Sequence, residues 1–304
     1  RFTPLLSLLT RQGRYTDAAL ARAASKASLE GFNAFVDRVL GTSHVRGAFF
    51  GNYSEADVRG VYELLSTAVS ASPSARYARS NVYAPKPATT LLLNREVPVE
   101  DLGMLYAFAA PEASVKNQAL SQILARHLRV RAFETLRTEE QLGYAAGGGA
   151  LDLYKHPMVI LYIQTPVKGP QEMLDRFTAY TEEYRDELAA LPEASFEKFK
   201  AGVLTALTEP PKNLSAEAGP FVSDWAIEHY DFDTRAKLIA AVNAATLQDV
   251  QRFYEETVFS DASSRIVIQL RGKRYSERPF ATVEGGVVID DIDKFHNEMP
   301  VQAR

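Results

Sequence analysis

Cysteine is absent from the 304 residues, which excludes disulfides, thiolate metal ligands and a cysteine nucleophile. The compartment stays open on that ground, since such a chain suits cytosol and periplasm equally. Long apolar runs are missing too. No stretch approaches the roughly 18 residues of a membrane-spanning helix, and no basic segment followed by an apolar core opens the chain, so no membrane partner is expected. Positive charge is not in excess: 34 Lys and Arg face 38 Asp and Glu, a formal net charge of −4. No broad positive field draws phosphate backbones, and nucleic acid is not an expected partner. Paired histidines are lacking as well. His44, His127, His156, His229 and His296 each stand without a second histidine three or four positions away. Neither H-x-x-E-H nor its inverse occurs, so no metal site is expected within this chain. There is also no G-x-S-x-G elbow and no phosphate-binding G-x-x-x-x-G-K-[ST] loop.

What is present is the composition of a globular protein, 46% hydrophobic and 24% charged, at a length that allows two ordinary domains. The chain opens at Arg1 rather than Met, directly in the apolar-periodic RFTPLLSLL, and is expected to begin inside a longer polypeptide. Sliding the sequence against itself exposes a distant internal repeat. ASLEGFNAFVDRVL from Ala27 lies over ATLQDVQRFYEETV from Ala245, placing Ser28 on Thr246, Leu29 on Leu247, Phe32 on Val250 and Phe35 on Phe253 at one constant offset. Both copies then run into an expected apolar strand ending in glycine, VRGAFFGNYS and RIVIQLRGKRYS. A period of this size implies tandem related α/β domains with the first copy truncated.

Thr16 or Asp17 can cap a helix over YTDAALARAASKA, and Ser28 the next one. Ser70–Ala88, rich in Ser, Pro and Arg, reads as a linker, which divides the chain into 1–80 and 81–304. Beyond it TTLLLNRE, GMLYAFAA and HPMVILYIQTP read as strands, while Asn117–Leu136, Glu172–Leu191 and Phe196–Leu207 carry helical apolar spacing. The expected fold class is α+β, each domain a largely antiparallel sheet covered by helices on one face. The Gly147–Gly149 triplet reads as a loose strand or hairpin tip. Glu182, Glu183, Asp186 and Glu187, with Arg185 among them, read as a solvated helix face.

The stretch FETLRTEEQLGYAAGGG, from Phe133, spells a helix ending near Gly143 and a strand beginning at Tyr144. Taken alone, Arg137 there suits a helix C-terminus or a pair with Glu140, and Tyr144 a half-buried strand. LRTEEQLGY, Leu136–Tyr144, resembles the signature of the C-terminal half of pitrilysin/insulinase-type zinc metallopeptidases. EPPKNLSAEA, Glu209–Ala218, followed by YDFDTR, Tyr230–Arg235, matches the same family in order and spacing.

The resemblance implies an enzyme of two halves, each a pair of similar α/β domains, closing around a peptide. Residues up to about 80 would be the end of the third domain and the remainder the fourth. Zinc would belong to the N-terminal half, the implied partner, with peptides as substrates and the isolated chain inactive. Arg137 and Tyr144 would reach the bound peptide, their N–H and O–H groups gripping a carbonyl and the charge that develops on it. A noncatalytic paralogue or peptide-binding scaffold of the same family is the alternative. Self-association into a homo-oligomer is left open, and the resemblance alone points to the bacterial periplasm. Two departures stand out. Ala145, Ala146 and the glycine triplet replace the family's branched residues, which should weaken or loosen the strand. Pro220 lies within a helix that Ser215 could cap, which should delay or kink it.

Overall fold

The computed structural model describes residues 2–43, 45–69, 86–153 and 156–298. In chain order the helices are α1 (Phe2–Thr10), α2 (Asp17–Ala24), α3 (Leu29–Thr42), α4 (Glu55–Ala68), α5 (Val115–Phe133), α6 (Pro170–Ala189), α7 (Glu193–Thr208), α8 (Leu214–Ala226), α9 (Thr234–Ala244), α10 (Leu247–Val258) and α11 (Ile292–Glu298). The strands are β1 (Thr90–Glu96), β2 (Leu102–Ala109), β3 (Ala145–Leu153), β4 (His156–Thr165), β5 (Ser264–Arg271) and β6 (Val287–Val288). Among the described residues no helix is long and apolar enough to cross a membrane.

The chain divides into two compact units. One holds Arg1–Thr10, Tyr83–Glu209 and Asp233–Val301; the other holds Arg11–Val82, Pro210–Phe232 and Gln302–Arg304. Neither unit is one continuous segment: the first ten residues join the later sheet, and Pro210–Phe232 joins the early helices. Most of the linker expected at Ser70–Ala88 lies outside the described residues.

The first unit is a six-stranded sheet in the order β3-β4-β2-β5-β1-β6. The pairs β3/β4, β4/β2 and β2/β5 are antiparallel, whereas β1 runs parallel to both β5 and β6. Although β1 and β2 are neighbours in sequence, β5 from the far end of the chain lies between them. Strand alternation divides the apolar residues between two faces. Met104, Tyr106 and Phe108 of β2 join Val159, Leu161 and Ile163 of β4 in a core with α5, α6, α7, α9 and α10. Leu105 and Ala107 join Leu91, Leu93, Ile266 and Ile268 on the other face, which α1 and α11 close through Leu6, Leu9 and Ile292. The long helices thus lie on one face, and two short helices finish the other.

Helix α5 is buried nearly all round, from Ala119 and Leu120 through Leu128 and Ala132. It packs directly on β3, where a Cβ at Gly148 would meet Leu128 Cγ at 2.7 Å. This corrects the expectation for the glycine triplet. Gly147–Gly149 are buried within β3 and paired with β4, from Gly147 opposite Tyr162 to Gly149 opposite Ile160. Gly147 admits the Tyr162 ring and Gly148 the helix where larger residues would clash, and the triplet does not form a hairpin tip.

The second unit is helical. Thr16 and Ser28 cap α2 and α3, accepting from Ala19 N and Gly31 N at 3.1 Å each. Asn213 caps α8, accepting from Ala216 N at 2.9 Å; Ser215 does not. Helix α8 starts at Leu214 and keeps Pro220 in its interior, so the start is not delayed. The strand expected at VRGAFFGNYS is absent, and the backbone from Val45 to Gly51 is irregular. A strand needs a partner ladder, and among the described residues this unit holds no strand to offer one. Arg46 instead fixes this stretch, pairing with Glu228 at 2.6 Å and lying over the rings of Trp225 and Tyr230 at 5.2 and 5.8 Å.

Candidate functional site

Leu136–Tyr144 links α5 to β3. The helix widens into a π turn over Glu134–Glu139, with Glu140 N–H bonding the Thr135 carbonyl and Leu142 N–H the Leu136 carbonyl, both at 3.0 Å. Leu136 and Leu142 are buried, so the turn is anchored in the core at both ends. Gln141 takes φ 52°, a left-handed conformation costing a non-glycine residue about 1–2 kcal/mol, and it reverses the chain. Gly143 then lies against β4, where a Cβ would meet the Gln164 carbonyl oxygen at 2.0 Å. No side chain fits there. The next residue, Tyr144, is turned outward and is 85% exposed.

Glu140 is held from α6, with Arg176 Nε–H donating to its two carboxylate oxygens at 3.0 and 2.9 Å. It is therefore not the partner of Arg137. The Arg137 guanidinium lies between two rings, 4.6 Å from the Phe133 centroid and 4.5 Å from that of Tyr144. Such contacts contribute about 0.5–2 kcal/mol each and leave the edge N–H donors free of the ring faces. The half-buried Arg137 has no ion pair among the described residues. Tyr144 is likewise no half-buried strand residue, standing one position before β3. The two residues that the signature singles out touch each other.

Both line an open depression of about 420 Å³, together with Asp101, Gln141, Gly143, Gln164 and Pro166. Gln164 is paired with Gly103 and with Ala145 near the end of β4, and its Nε2–H donates to Asp101 Oδ2 at 3.0 Å. Sequence reasoning missed Asp101 and Gln164, because neither lies in a motif and only the sheet order brings them to Tyr144. Gln141 stood inside the quoted signature and went unremarked.

Residues 123–222 match the family described as PQQ synthase PqqF-like, C-terminal lobe domain 4. Protease 3 of Escherichia coli K12 is 24% identical over 187 residues, 62% of this chain and 19% of that protein. The insulin-degrading enzyme of Homo sapiens is 22% identical over 267 residues, 86% of this chain and 26% of that protein. By these matches the chain is similar to the C-terminal part of pitrilysin/insulinase-type metallopeptidases. It spans about a fifth to a quarter of the length of these relatives. A solved pitrilysin covers 99% of the chain at a TM-score of 0.90 and 20% identity, with the chain spanning 32% of it. The inactive domain of a peptidase M16 from Pseudomonas fluorescens covers 85% at a TM-score of 0.56 and 12% identity.

Among the described residues, His127, His156 and His229 lie in separate settings. His127 is buried, its Nδ1 2.9 Å from the Tyr184 hydroxyl, and desolvation lowers its pKa, with Glu187 opposing. His156 Nε2 lies 2.7 Å from the Ala110 carbonyl oxygen. His44 falls outside the described residues. His229 has no second imidazole three or four positions away, whereas a peptidase zinc site needs two on one helical face and a separate base. The acidic face of α6 is largely ion-paired: Glu187 with Arg131 at 2.9 Å, Glu183 with Arg176 at 2.8 Å and Glu182 with Arg185 at 3.4 Å.

Proposed function

We propose that this chain is the substrate-binding C-terminal part of a zinc metalloendopeptidase that degrades peptides in a closed chamber. Residues 1–80 end its third domain and residues 81–304 form its fourth. Zinc is held by the N-terminal half of the same protein. One observation carries the reading: a guanidinium stacked between Phe133 and Tyr144, without an ion-pair partner among the described residues, at an open depression. Stacking restrains Arg137 before a ligand arrives, so its N–H groups bind a peptide carbonyl with little further ordering cost. The exposed Tyr144 hydroxyl supplies a second donor, suited to negative charge developing on that oxygen when the two halves close.

The test uses the complete two-half protein. Tyr144→Phe should lower kcat by about a hundredfold to a thousandfold, the usual loss for one oxyanion donor, with the fold intact by circular dichroism. Unchanged kinetics would refute the role. The isolated chain should carry no stoichiometric zinc by elemental analysis and should not cleave a quenched peptide. The second reading, a noncatalytic peptide-binding paralogue, is favoured by the likeness in fold to the inactive domain from Pseudomonas fluorescens. Inactivity of the complete protein, with peptide binding retained, would establish it.

A further inference from the structure

We infer that Asp101 makes the depression beside Arg137 and Tyr144 selective for peptides carrying a lysine or arginine side chain; this rests on the peptide-binding reading above. Three carboxylates elsewhere in this unit are held by cations: Glu140 by Arg176, Glu187 by Arg131, and Asp249 by Lys116 at 2.8 Å. Asp101 has no such cation among the described residues, although it lines the same depression as Arg137. The two opposite charges do not pair with each other, so each remains available to a ligand. Arg137 and Tyr144 supply donors for a backbone carbonyl, and Asp101 supplies an acceptor for an ammonium or guanidinium.

Asp101 is also held in place. The next residue, Leu102, is fully buried in β2. On the other side of the backbone, Gly272 lies so close that a Cβ there would meet the Asp101 carbonyl oxygen at 2.2 Å. Lys273 N–H bonds the Val99 carbonyl at 2.8 Å and Arg274 N–H that of Glu100 at 3.2 Å, which ties down the whole β1–β2 connection. Gln164 Nε2–H occupies Oδ2 at 3.0 Å and orients the carboxylate, while Oδ1 has no hydrogen-bond partner among the described residues. A volume of about 420 Å³ falls within the usual range for ligand sites, roughly 300–1,000 Å³, and accommodates a long basic side chain.

The experiment uses this chain and three fluorescein-labelled nonapeptides of Gly, Ala and Ser that differ only in a central Lys, Met or Glu. Fluorescence anisotropy should show the lysine peptide binding about fivefold tighter than the methionine peptide, as befits a partly screened charge pair, with the glutamate peptide weakest. Raising the salt from about 20 mM to 500 mM should shrink that difference, which needs no variant. Asp101→Asn should bring the three affinities within about twofold of one another, and Asp101→Lys should invert their order. Equal binding of the lysine and methionine peptides, or a preference that survives Asp101→Asn in a folded protein, would overturn the assignment. Binding without charge preference that Arg137→Ala weakens sinks this inference alone. If none of the peptides binds, the peptide-site reading falls and takes this inference with it.

Discussion

Helices α10 and α3 are the two copies of one repeated sequence, and they meet opposite fates. Val250 and Phe253 of α10 are each 2% exposed, packed with β2, α5 and α6 in the main core. Their counterparts in α3, Phe32 and Phe35, are 60% and 52% exposed, and no residue of α3 is buried. Both helices keep the same cap: Thr246 accepts from Asp249 N and Ser28 from Gly31 N, each at 3.1 Å. The cap and the apolar stripe are local properties that each copy retains. Burial needs a second surface, which α10 has in its sheet and α3 lacks among the described residues. The stripe on α3 has the spacing of a helix made to lie on such a sheet. This supports the proposal that the chain works as part of a larger protein.

The two phenylalanines should differ most in what their loss costs. Phe253→Ala should destabilise the chain by about 3–5 kcal/mol, whereas Phe35→Ala should change stability by no more than about 0.5 kcal/mol. Urea unfolding measures both, and equal losses would mean that α3 is covered after all. The glycines offer a second contrast. Gly143→Ala drives a Cβ onto backbone at 2.0 Å and should cost about 1–3 kcal/mol while displacing Tyr144. Gly60, inside α4, has open space around its Cβ position, so Gly60→Ala should stabilise by about 0.5–1 kcal/mol through helix propensity. Thermal unfolding of the two variants, shifting in opposite directions, would sharpen the distinction.

The smallest effect lies in the capping boxes of α10 and α4. Hydrogen bonds from Lys116 and then Thr246 lower the pKa of Asp249 to about 2. In α4, Ser54 lowers that of Asp57 without a lysine. A depressed carboxylate contributes stability above its unfolded value near 3.8, and that contribution is lost as pH falls towards about 2. Lys116→Met should therefore move the loss at α10 to higher pH, read as the Asp249 carboxyl titration by NMR, and leave Asp57 unmoved. An unshifted Asp249 would show that Thr246 alone sets its acidity.

Much of the fold was legible because it is decided within a few residues. Ser28 and Thr16 accept the N–H groups that a cap predicts, and the runs read as strands became β1, β2 and β4. Helical spacing located α5, α6 and α7, although the π turn that extends α5 carried no separate signal. Other readings failed where a distant partner decided the outcome. VRGAFFGNYS has a strand's composition but, among the described residues of its unit, no ladder to join. The glycine triplet looked loose until α5 and Tyr162 were found lying against it. Family resemblance drew attention to Arg137 and Tyr144, whose local roles would otherwise have sufficed.

By itself, then, the amino-acid order determined where helices begin, which faces are apolar and that a repeat is present, because capping and periodicity are settled by near neighbours. Tertiary structure alone decided that β5 separates β1 from β2, that α10 is covered while α3 is not among the described residues, and that Asp101 and Gln164 stand beside Tyr144. Each of those facts depends on segments distant in the sequence meeting in space, and no local pattern encodes which of several apolar strands will be the neighbour.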